Sequence, residues 1–313
     1  MTVAQRLDTP PPSPVPRPEL TQSDIEPDTD VETPEPATPN VEAVIAPGSG
    51  FELEPPSDDA APAPVQFTAR LTSETPTLER DLAWTVYTLD DEIVDDDDLL
   101  ITSIGGSLEA SLPPGSYLVH VAYGMASISR PVTVTPNGLF EQFTFGAGGM
   151  TFRGAVAAED YLPDELVSFL VFPEGADIDS GAEPIVSDVD ERTVLVVPAG
   201  RYTVISRYGD VNAEVRAQID VDPGQLTEAV MFHQAAEITL KLVNEPNGEA
   251  LPNTAWSVLN AGGDILREFV GAFPTMVLAA GDYTVIARHD GQVLTRDFSA
   301  VTGVNREVEL VAQ

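Results

Sequence analysis

The sequence predicts an all-β protein built from three tandem Ig-like, Greek-key β-sandwiches behind a disordered, proline-rich acidic tail. Three observations support this. A turn-and-strand motif occurs three times at similar spacing, the segments around it alternate between polar and apolar residues, and no segment has a convincing 3.6-residue periodicity. The expected divisions are residues 1–64 for the tail and 65–148, 149–235 and 236–313 for the three repeats.

The tail holds 15 of the 28 prolines and 13 acidic residues. A segment of this composition cannot bury enough apolar surface to offset the entropy lost on ordering, so we expect an extended tether. Its only apolar stretches are Val41–Ile45 and Phe51, which are candidates for docking on the first repeat.

The repeated motif places a glycine at a turn and a tyrosine two residues later, at the start of an alternating run. The glycines are Gly115, Gly200 and Gly281, and the tyrosines are Tyr117, Tyr202 and Tyr283. This pattern is typical of entry into an antiparallel strand. We therefore interpret the tyrosines as corner or core residues whose hydroxyl groups bond to backbone.

Each repeat is expected to hold six or seven short strands, a number typical of a small Greek-key sandwich. In the first repeat they are 66–72, 82–88, 107–112, 117–123, 127–135 and 140–145; in the second, 151–156, 166–172, 193–197, 202–207, 214–221 and 226–232; in the third, 238–243, 255–259, 275–278, 283–288, 293–299 and 305–311. One short helical turn is predicted within 159–167. The connections between repeats are only a few residues long, so we expect a partly rigid rod.

The composition is strongly acidic, with a formal charge of −36 and a single lysine, Lys241. Such a charge repels nucleic acid and anionic lipid, so neither is an expected partner. Cysteine is absent, which excludes disulfides, thiolate metal sites and cysteine nucleophiles. No apolar stretch is long enough for a transmembrane helix. The N-terminus also has no apolar core of the kind a signal peptide needs.

Two acidic loops are candidates for calcium binding, because calcium prefers carboxylate and carbonyl oxygens. One is Asp90–Asp98; the other holds Asp177, Asp179, Asp188, Asp190 and Glu191. Neither has the ligand spacing of an EF-hand, and a solvated loop is the favoured interpretation.

Large aromatic residues occupy one equivalent strand position in the three repeats: Trp84, Phe169 and Trp256. Exposed tryptophans would suit sugar stacking, but recurrence at one strand position favours a core role. The histidines, His120, His233 and His289, occupy non-equivalent positions and do not predict a shared metal site or a catalytic triad. We therefore predict no catalytic, cofactor-binding or metal-binding residues, and no enzyme activity.

The tandem turn motif resembles bacterial surface and periplasmic β-sandwich repeats such as the carboxypeptidase-regulatory-like, transthyretin-like and Cna-B-like domains. Segments such as Ala255–Leu259 and Gly281–Gly291 are similar to those of a bacterial envelope family of tandem repeats. The resemblance covers residues 65–313. It implies a periplasmic or extracellular location, although this chain lacks the export signal of that family, so a cytoplasmic location stays open.

These observations favour a non-catalytic structural or interaction protein of the bacterial cell envelope. It would be a tethered rod that presents loops and edge strands to a protein or glycan partner. The alternative is a carbohydrate- or calcium-binding accessory module.

Overall fold

A computed structural model describes residues 53–57, 60–89 and 98–312. These residues form 22 β-strands and two short 3-10 turns, at Asp164–Leu166 and Ile178–Ser180, of which the first lies in the segment where a helical turn was predicted. The predicted disordered tail lies almost wholly outside the described residues. The all-β prediction is confirmed.

The strands divide into three sets of two sheets each: a three-stranded and a four-stranded sheet in the first and third sets, and two four-stranded sheets in the second. In the first repeat they are β1 (Ala63–Arg70), β2 (Leu82–Thr88), β3 (Leu99–Gly105), β4 (Leu108–Leu112), β5 (Gly115–Tyr123), β6 (Ala126–Val134) and β7 (Leu139–Thr144). The sheet orders are β4-β1-β7 and β3-β2-β5-β6. Strand β5 returns to pair with β2 after β3 and β4, which is the Greek-key path, and β1 and β7 are parallel.

The second and third repeats follow the same order. The second contains β8 (Ala147–Ala157), β9 (Asp160–Tyr161), β10 (Val167–Pro173), β11 (Val186–Val189), β12 (Leu195–Pro198), β13 (Gly200–Tyr208), β14 (Ala213–Val221) and β15 (Leu226–Phe232). The third contains β16 (Ala235–Val243), β17 (Ala255–Asn260), β18 (Ile265–Val270), β19 (Thr275–Ala279), β20 (Gly281–His289), β21 (Gln292–Ala300) and β22 (Arg306–Val311). The two-residue β9, paired to β8, is the only extra strand in the described chain.

One strand at an equivalent position of every repeat was not predicted from the sequence, and neither was the short β9. The former is the third strand, β3, β11 or β18, which forms an edge of the four-stranded sheet. Most residues of these strands are exposed or partly buried, and Val189 at the end of β11 is buried. Because an edge strand packs on one side only and several of its apolar residues face solvent, its pattern resembled a continuation of the preceding loop.

Each repeat has its own apolar core between its two sheets. In the first, Phe67, Trp84 and Phe143 pack together, with ring centroids 5.5 to 6.2 Å apart. In the second, Phe152 packs on Phe169 at 5.1 Å. Along each strand, alternate residues face inward and form the core, as expected of a sandwich.

Candidate functional site

The repeated turn is a structural element in all three repeats. The hydroxyl group of each motif tyrosine donates a hydrogen bond to the carbonyl oxygen four residues earlier. Tyr117 donates to Pro113 at 2.8 Å, Tyr202 to Pro198 at 2.7 Å and Tyr283 to Ala279 at 2.7 Å. All three rings are buried, so the predicted corner role is confirmed. Burial raises the pKa of Tyr202 above its usual value.

The candidate sugar-stacking residues lie inside the cores. Trp84 and Trp256 are each 1% exposed, and Phe169 is fully buried. Each indole Nε1 donates to the carbonyl of a glycine that follows the third strand, Gly106 at 2.8 Å and Gly271 at 2.9 Å. The core interpretation is therefore confirmed, and neither indole offers a ring face to a ligand.

The carboxylates proposed as calcium ligands do not converge where they are described. Residues 90–97 lie outside the described chain. In the second loop, Asp177 accepts a hydrogen bond from the Ser180 amide at 3.2 Å, and Asp179 pairs with Arg216 at 2.8 Å. Across 53–57, 60–89 and 98–312, no group of three or more histidine, aspartate or glutamate side chains is placed to hold a metal ion.

One carboxylate of that loop is buried. Glu191 is 7% exposed and accepts a hydrogen bond at Oε1 from the Gly154 amide at 2.5 Å. Burial raises its pKa, because it penalises the charged form. Nearby, Arg192 pairs with Asp164 at 2.5 Å, and this hydrogen bond lowers the pKa of the aspartate. Glu191 thus fixes its loop against β8.

The three histidines are separate. His120 lies on β5 with Nδ1 2.8 Å from the Ser129 hydroxyl group, and His233 follows β15 with Nε2 2.7 Å from the Ser206 hydroxyl group. His289 ends β20. Burial lowers the pKa of His233 to about 4, which keeps it neutral near pH 7. The structure brings none of these rings together.

The two junctions between repeats have equivalent contacts. At each one, the glycine at the tip of the hairpin between the fifth and sixth strands lies against a valine of the next repeat. Gly124 faces Val196, and Gly209 faces Val277. Both valines are part of the core of the preceding repeat. The Met125 amide also donates to the Val196 carbonyl at 2.9 Å. Each junction is therefore a continuous apolar packing contact.

A second contact reinforces each junction. The turn before the last strand of one repeat packs on the preceding repeat. A β-carbon at Gly224 would lie 3.0 Å from Thr72, and one at Gly303 would lie 3.6 Å from Val156. Between the second and third repeats, Arg267 also pairs with Asp210 at 2.7 Å. Two separated contacts restrict bending and twisting more than one contact would.

Edge strands are the most accessible backbone surfaces in this fold. An edge presents unpaired amide and carbonyl groups, and proteins commonly protect it with charges or proline. Three edge strands of the described chain lack charged residues: β3, β12 and β19. Strands β12 and β19 carry Val196 and Val277, and the hairpin of the preceding repeat contacts both.

Strand β3 is different, because it lies at the edge of the other sheet of its repeat, where it pairs with β2. It has seven residues and neither a charge nor a proline. Three of its four apolar side chains are exposed, Leu99 at 45%, Leu100 at 48% and Ile104 at 79%, and the fourth, Ile101, packs on the core. Because the other two uncharged edges form contacts between repeats, β3 is the best candidate interaction site. Strand β3 is not among the strands predicted from the sequence, so the expected edge-strand contact could not be assigned to it there.

The described residues contain no helix with the length and apolar character that a membrane crossing needs. No curated protein matches the chain. Among solved structures, the Bacillus anthracis TIE protein is 17% identical, with a TM-score of 0.25, over 81% of this chain and 50% of that chain. The chain thus spans half the length of that protein.

Two pilins also have a similar structure. The Streptococcal ancillary pilin is 13% identical with a TM-score of 0.31, over 79% of this chain and 98% of that chain. The shaft pilin SpaA from Lactobacillus rhamnosus GG is 13% identical with a TM-score of 0.27, over 54% of this chain and 96% of that chain. Likeness at this level carries no conclusion about the role of this chain.

A family model gives a more direct match to the repeat. Residues 237–312, which contain strands β17 to β22 and most of β16, match the model of the Rhizobiales growth-associated tandem repeat domain. Because the matched residues coincide with one β-sandwich, and two further sandwiches of the same strand order precede it, the expected resemblance to a family of tandem β-sandwich repeats is confirmed.

Proposed function

We propose that this chain is a non-catalytic structural and interaction protein of the bacterial cell envelope. Its three repeats form a partly rigid rod, and the free edge of β3 binds an extended segment of a partner protein. The observation that carries this proposal is the contrast between β3 and the other uncharged edges, β12 and β19, which already form interfaces in this chain.

Binding at β3 would follow the β-strand addition mode. The partner strand supplies backbone hydrogen bonds, and the exposed Leu99, Leu100 and Ile104 select apolar side chains on it. The chain carries a formal charge of −36, and Asp90–Asp98 precede β3 in the sequence. Charge complementarity therefore favours a partner segment that has lysine or arginine beside its apolar residues.

The rod is supported by the repeated junctions. Each junction contains a glycine at the equivalent hairpin tip and a valine at the equivalent strand position. Each also has a second contact, made by the turn before the last strand. Small-angle scattering of the full chain tests this directly. We expect a cross-sectional radius typical of a single sandwich and an elongated distance distribution; a compact, globular distribution would contradict the rod.

The β3 contact is tested in cells by placing a photo-crosslinking amino acid at Ile104, with Val293 on the edge strand β21 as the matched control site. Both side chains are more than 60% exposed. We expect a discrete crosslinked product from position 104 alone, and its loss when Thr102→Lys blocks the edge. Identical products from both sites, or a product that survives Thr102→Lys, would count against the proposal. Cell fractionation of the same strain tests the envelope location.

A further inference from the structure

Each junction contains a pair of rings at the point where the chain leaves one repeat for the next. The first residue after the last strand is Phe145 in the first repeat and His233 in the second. Phe145 packs on Tyr123, with ring centroids 6.3 Å apart, and His233 packs on Tyr208 at 5.8 Å. The tyrosines are buried and lie at the ends of β5 and β13. The two pairs are therefore equivalent, but only the histidine ring can bind a proton.

A second replacement accompanies the histidine. Ser206 lies six residues after the motif glycine of the second repeat, and Val121 lies six residues after that of the first. Both side chains are fully buried. The Ser206 hydroxyl group is 2.7 Å from His233 Nε2, whereas Val121 belongs to the apolar core of its repeat. The second repeat thus has a hydrogen-bonded pair where the first has the apolar pair Val121 and Phe145.

The His233 ring has a partner for only one of its two nitrogen atoms. His233 is 1% exposed, and its Nδ1 is buried without a hydrogen-bond partner among the described residues. In the neutral ring Nε2 can carry the proton and donate to Ser206, which leaves Nδ1 as an acceptor. Protonation would turn Nδ1 into a charged donor without an acceptor. A buried charge of this kind is strongly unfavourable.

The carboxylates around this pair act on the tyrosine and not on the histidine. Burial, followed by the charges of Glu237 on β16 and Asp160 on β9, raises the pKa of Tyr208. Burial alone lowers the pKa of His233, and β13 contributes the neutral Ser206 and Tyr208 to its surroundings. Within the described chain, no carboxylate therefore stabilises a proton on this ring.

The ring also lies where the third repeat is attached. His233 directly precedes Gln234, whose carbonyl accepts a hydrogen bond from the Ala280 amide of the third repeat at 2.7 Å. Val277 of the third repeat packs in the same core as Tyr208. The third repeat thus covers the end of the second repeat that holds the ring. Moving the third repeat away is the smallest opening that would bring water to the ring.

We propose that the junction between the second and third repeats is an acid-sensitive hinge that opens when His233 binds a proton, whereas the first junction, with Phe145, does not respond. In the open junction the ring reaches water and has the ordinary histidine pKa of 6.5, while burial in the closed junction holds its pKa at about 4. The equilibrium should therefore shift toward the open form by roughly tenfold for each pH unit between these values. The hinge does not depend on the proposed β3 contact, so either can fail without the other.

Fluorescence resonance energy transfer across each junction of the full chain tests the hinge. Because the chain has no cysteine, two introduced cysteines carry the dyes. The pair Gln218→Cys/Thr295→Cys spans the second junction and Ser127→Cys/Gln218→Cys spans the first, and all three native side chains are exposed. We expect the transfer efficiency across the second junction to shift as the pH falls from 6.5 toward 4, with no change across the first.

Exchange of the two buried pairs gives the matched variants. His233→Phe/Ser206→Val copies the first repeat and should abolish the shift at the second junction. Phe145→His/Val121→Ser should confer a shift on the first junction. Far-UV circular dichroism at each pH checks that the repeats stay folded. The first exchange restores an apolar core pair, so it decides the test alone if the second exchange does not fold.

Four results would overturn the proposal. They are a constant efficiency across the second junction, an equal shift across both junctions, a shift that persists in His233→Phe/Ser206→Val, and a shift that coincides with loss of the circular dichroism signal. The last result would report unfolding of the repeats and not the opening of a hinge between folded repeats.

Discussion

Asn212 of the second repeat donates a hydrogen bond from Nδ2 to the hydroxyl oxygen of Tyr283 in the third, at 3.0 Å. Its other side-chain atom, Oδ1, accepts from the Ala279 amide at 3.0 Å. Tyr283 in turn donates to the Ala279 carbonyl. At this junction the motif that organises the third repeat is thus also a contact point for the second, so the fold of the third repeat and its attachment to its neighbour are connected.

Asn212→Ala should weaken this junction without unfolding either repeat. Loss of the two hydrogen bonds should lower the free energy of unfolding of the third repeat by about 1–2 kcal/mol. Urea denaturation followed by Trp256 fluorescence, in a Trp84→Phe background, reports on that repeat alone. Asn137→Ala, at an exposed turn of the first repeat, is the control. Equal effects of the two substitutions would show that the two Asn212 hydrogen bonds contribute nothing to stability.

Replacement of Trp256 by phenylalanine should be tolerated, since Phe169 fills the equivalent position in the second repeat. We expect Trp256→Phe to cost about 1–2 kcal/mol for the lost packing and the lost hydrogen bond to Gly271, whereas Trp256→Ala should cost about 3–5 kcal/mol. Urea denaturation followed by far-UV circular dichroism measures both. A stable Trp256→Ala variant would contradict the core role.

The position of the tyrosine corner could be predicted from the sequence because it depends on local chemistry. A turn glycine and a tyrosine two residues later fix the start of β5, β13 and β20, and the hydroxyl acceptor lies only four residues away. The core position of Trp84, Phe169 and Trp256 followed in the same way, from a strand pattern repeated three times.

The candidate interaction site was harder to predict, because it depends on which edges are covered. Strand β3 follows an acidic loop. Its Ile104 is apolar but exposed, so it does not indicate a strand face that packs on the core. The covering of β12 by Gly124 joins residues that are 72 positions apart in the chain, 124 and 196. No local pattern encodes such a contact, so the distinction between open and covered edges appears only in the structure.

The buried His233 should make stability depend on pH. Its pKa in the folded chain is about 4, below the ordinary value of 6.5, because the ring is desolvated beside Ser206 and Tyr208. As the pH falls through 6.5, the unfolded chain binds a proton that the folded chain does not bind until about pH 4. Stability contributed by the neutral ring is therefore complete above pH 6.5 and is lost progressively between pH 6.5 and 4, by up to about 3 kcal/mol.

Denaturation of the unmodified chain and of His233→Gln across this range measures that contribution. Glutamine retains a polar partner for Ser206 but does not titrate, so the difference in unfolding free energy between the two proteins should change between pH 6.5 and 4 and stay constant above pH 7. An NMR titration of the His233 ring gives its folded pKa directly, and a midpoint near 6.5 would refute the expectation.

The hairpin glycines offer a matched pair for testing the junctions. Gly209 has a φ of +68° and a β-carbon there would lie 2.7 Å from the Val277 β-carbon. Gly291, at the equivalent hairpin of the third repeat, has a φ of +82° and no described atom within 4 Å of that position. An alanine at either site would destabilise the chain by about 1–2 kcal/mol, because it must adopt the left-handed backbone conformation. Only the side chain of Gly209→Ala would also collide with the next repeat.

We therefore expect Gly209→Ala to destabilise the chain by about 1–3 kcal/mol more than Gly291→Ala, as over-packing does. If the collision with Val277 is the cause, the added substitution Val277→Ala should remove part of the excess. A double-mutant cycle on Gly209→Ala and Val277→Ala, measured by urea denaturation, isolates this coupling energy. Additive effects, or equal losses at Gly209 and Gly291, would mean that the hairpin tip does not hold the repeats together in solution.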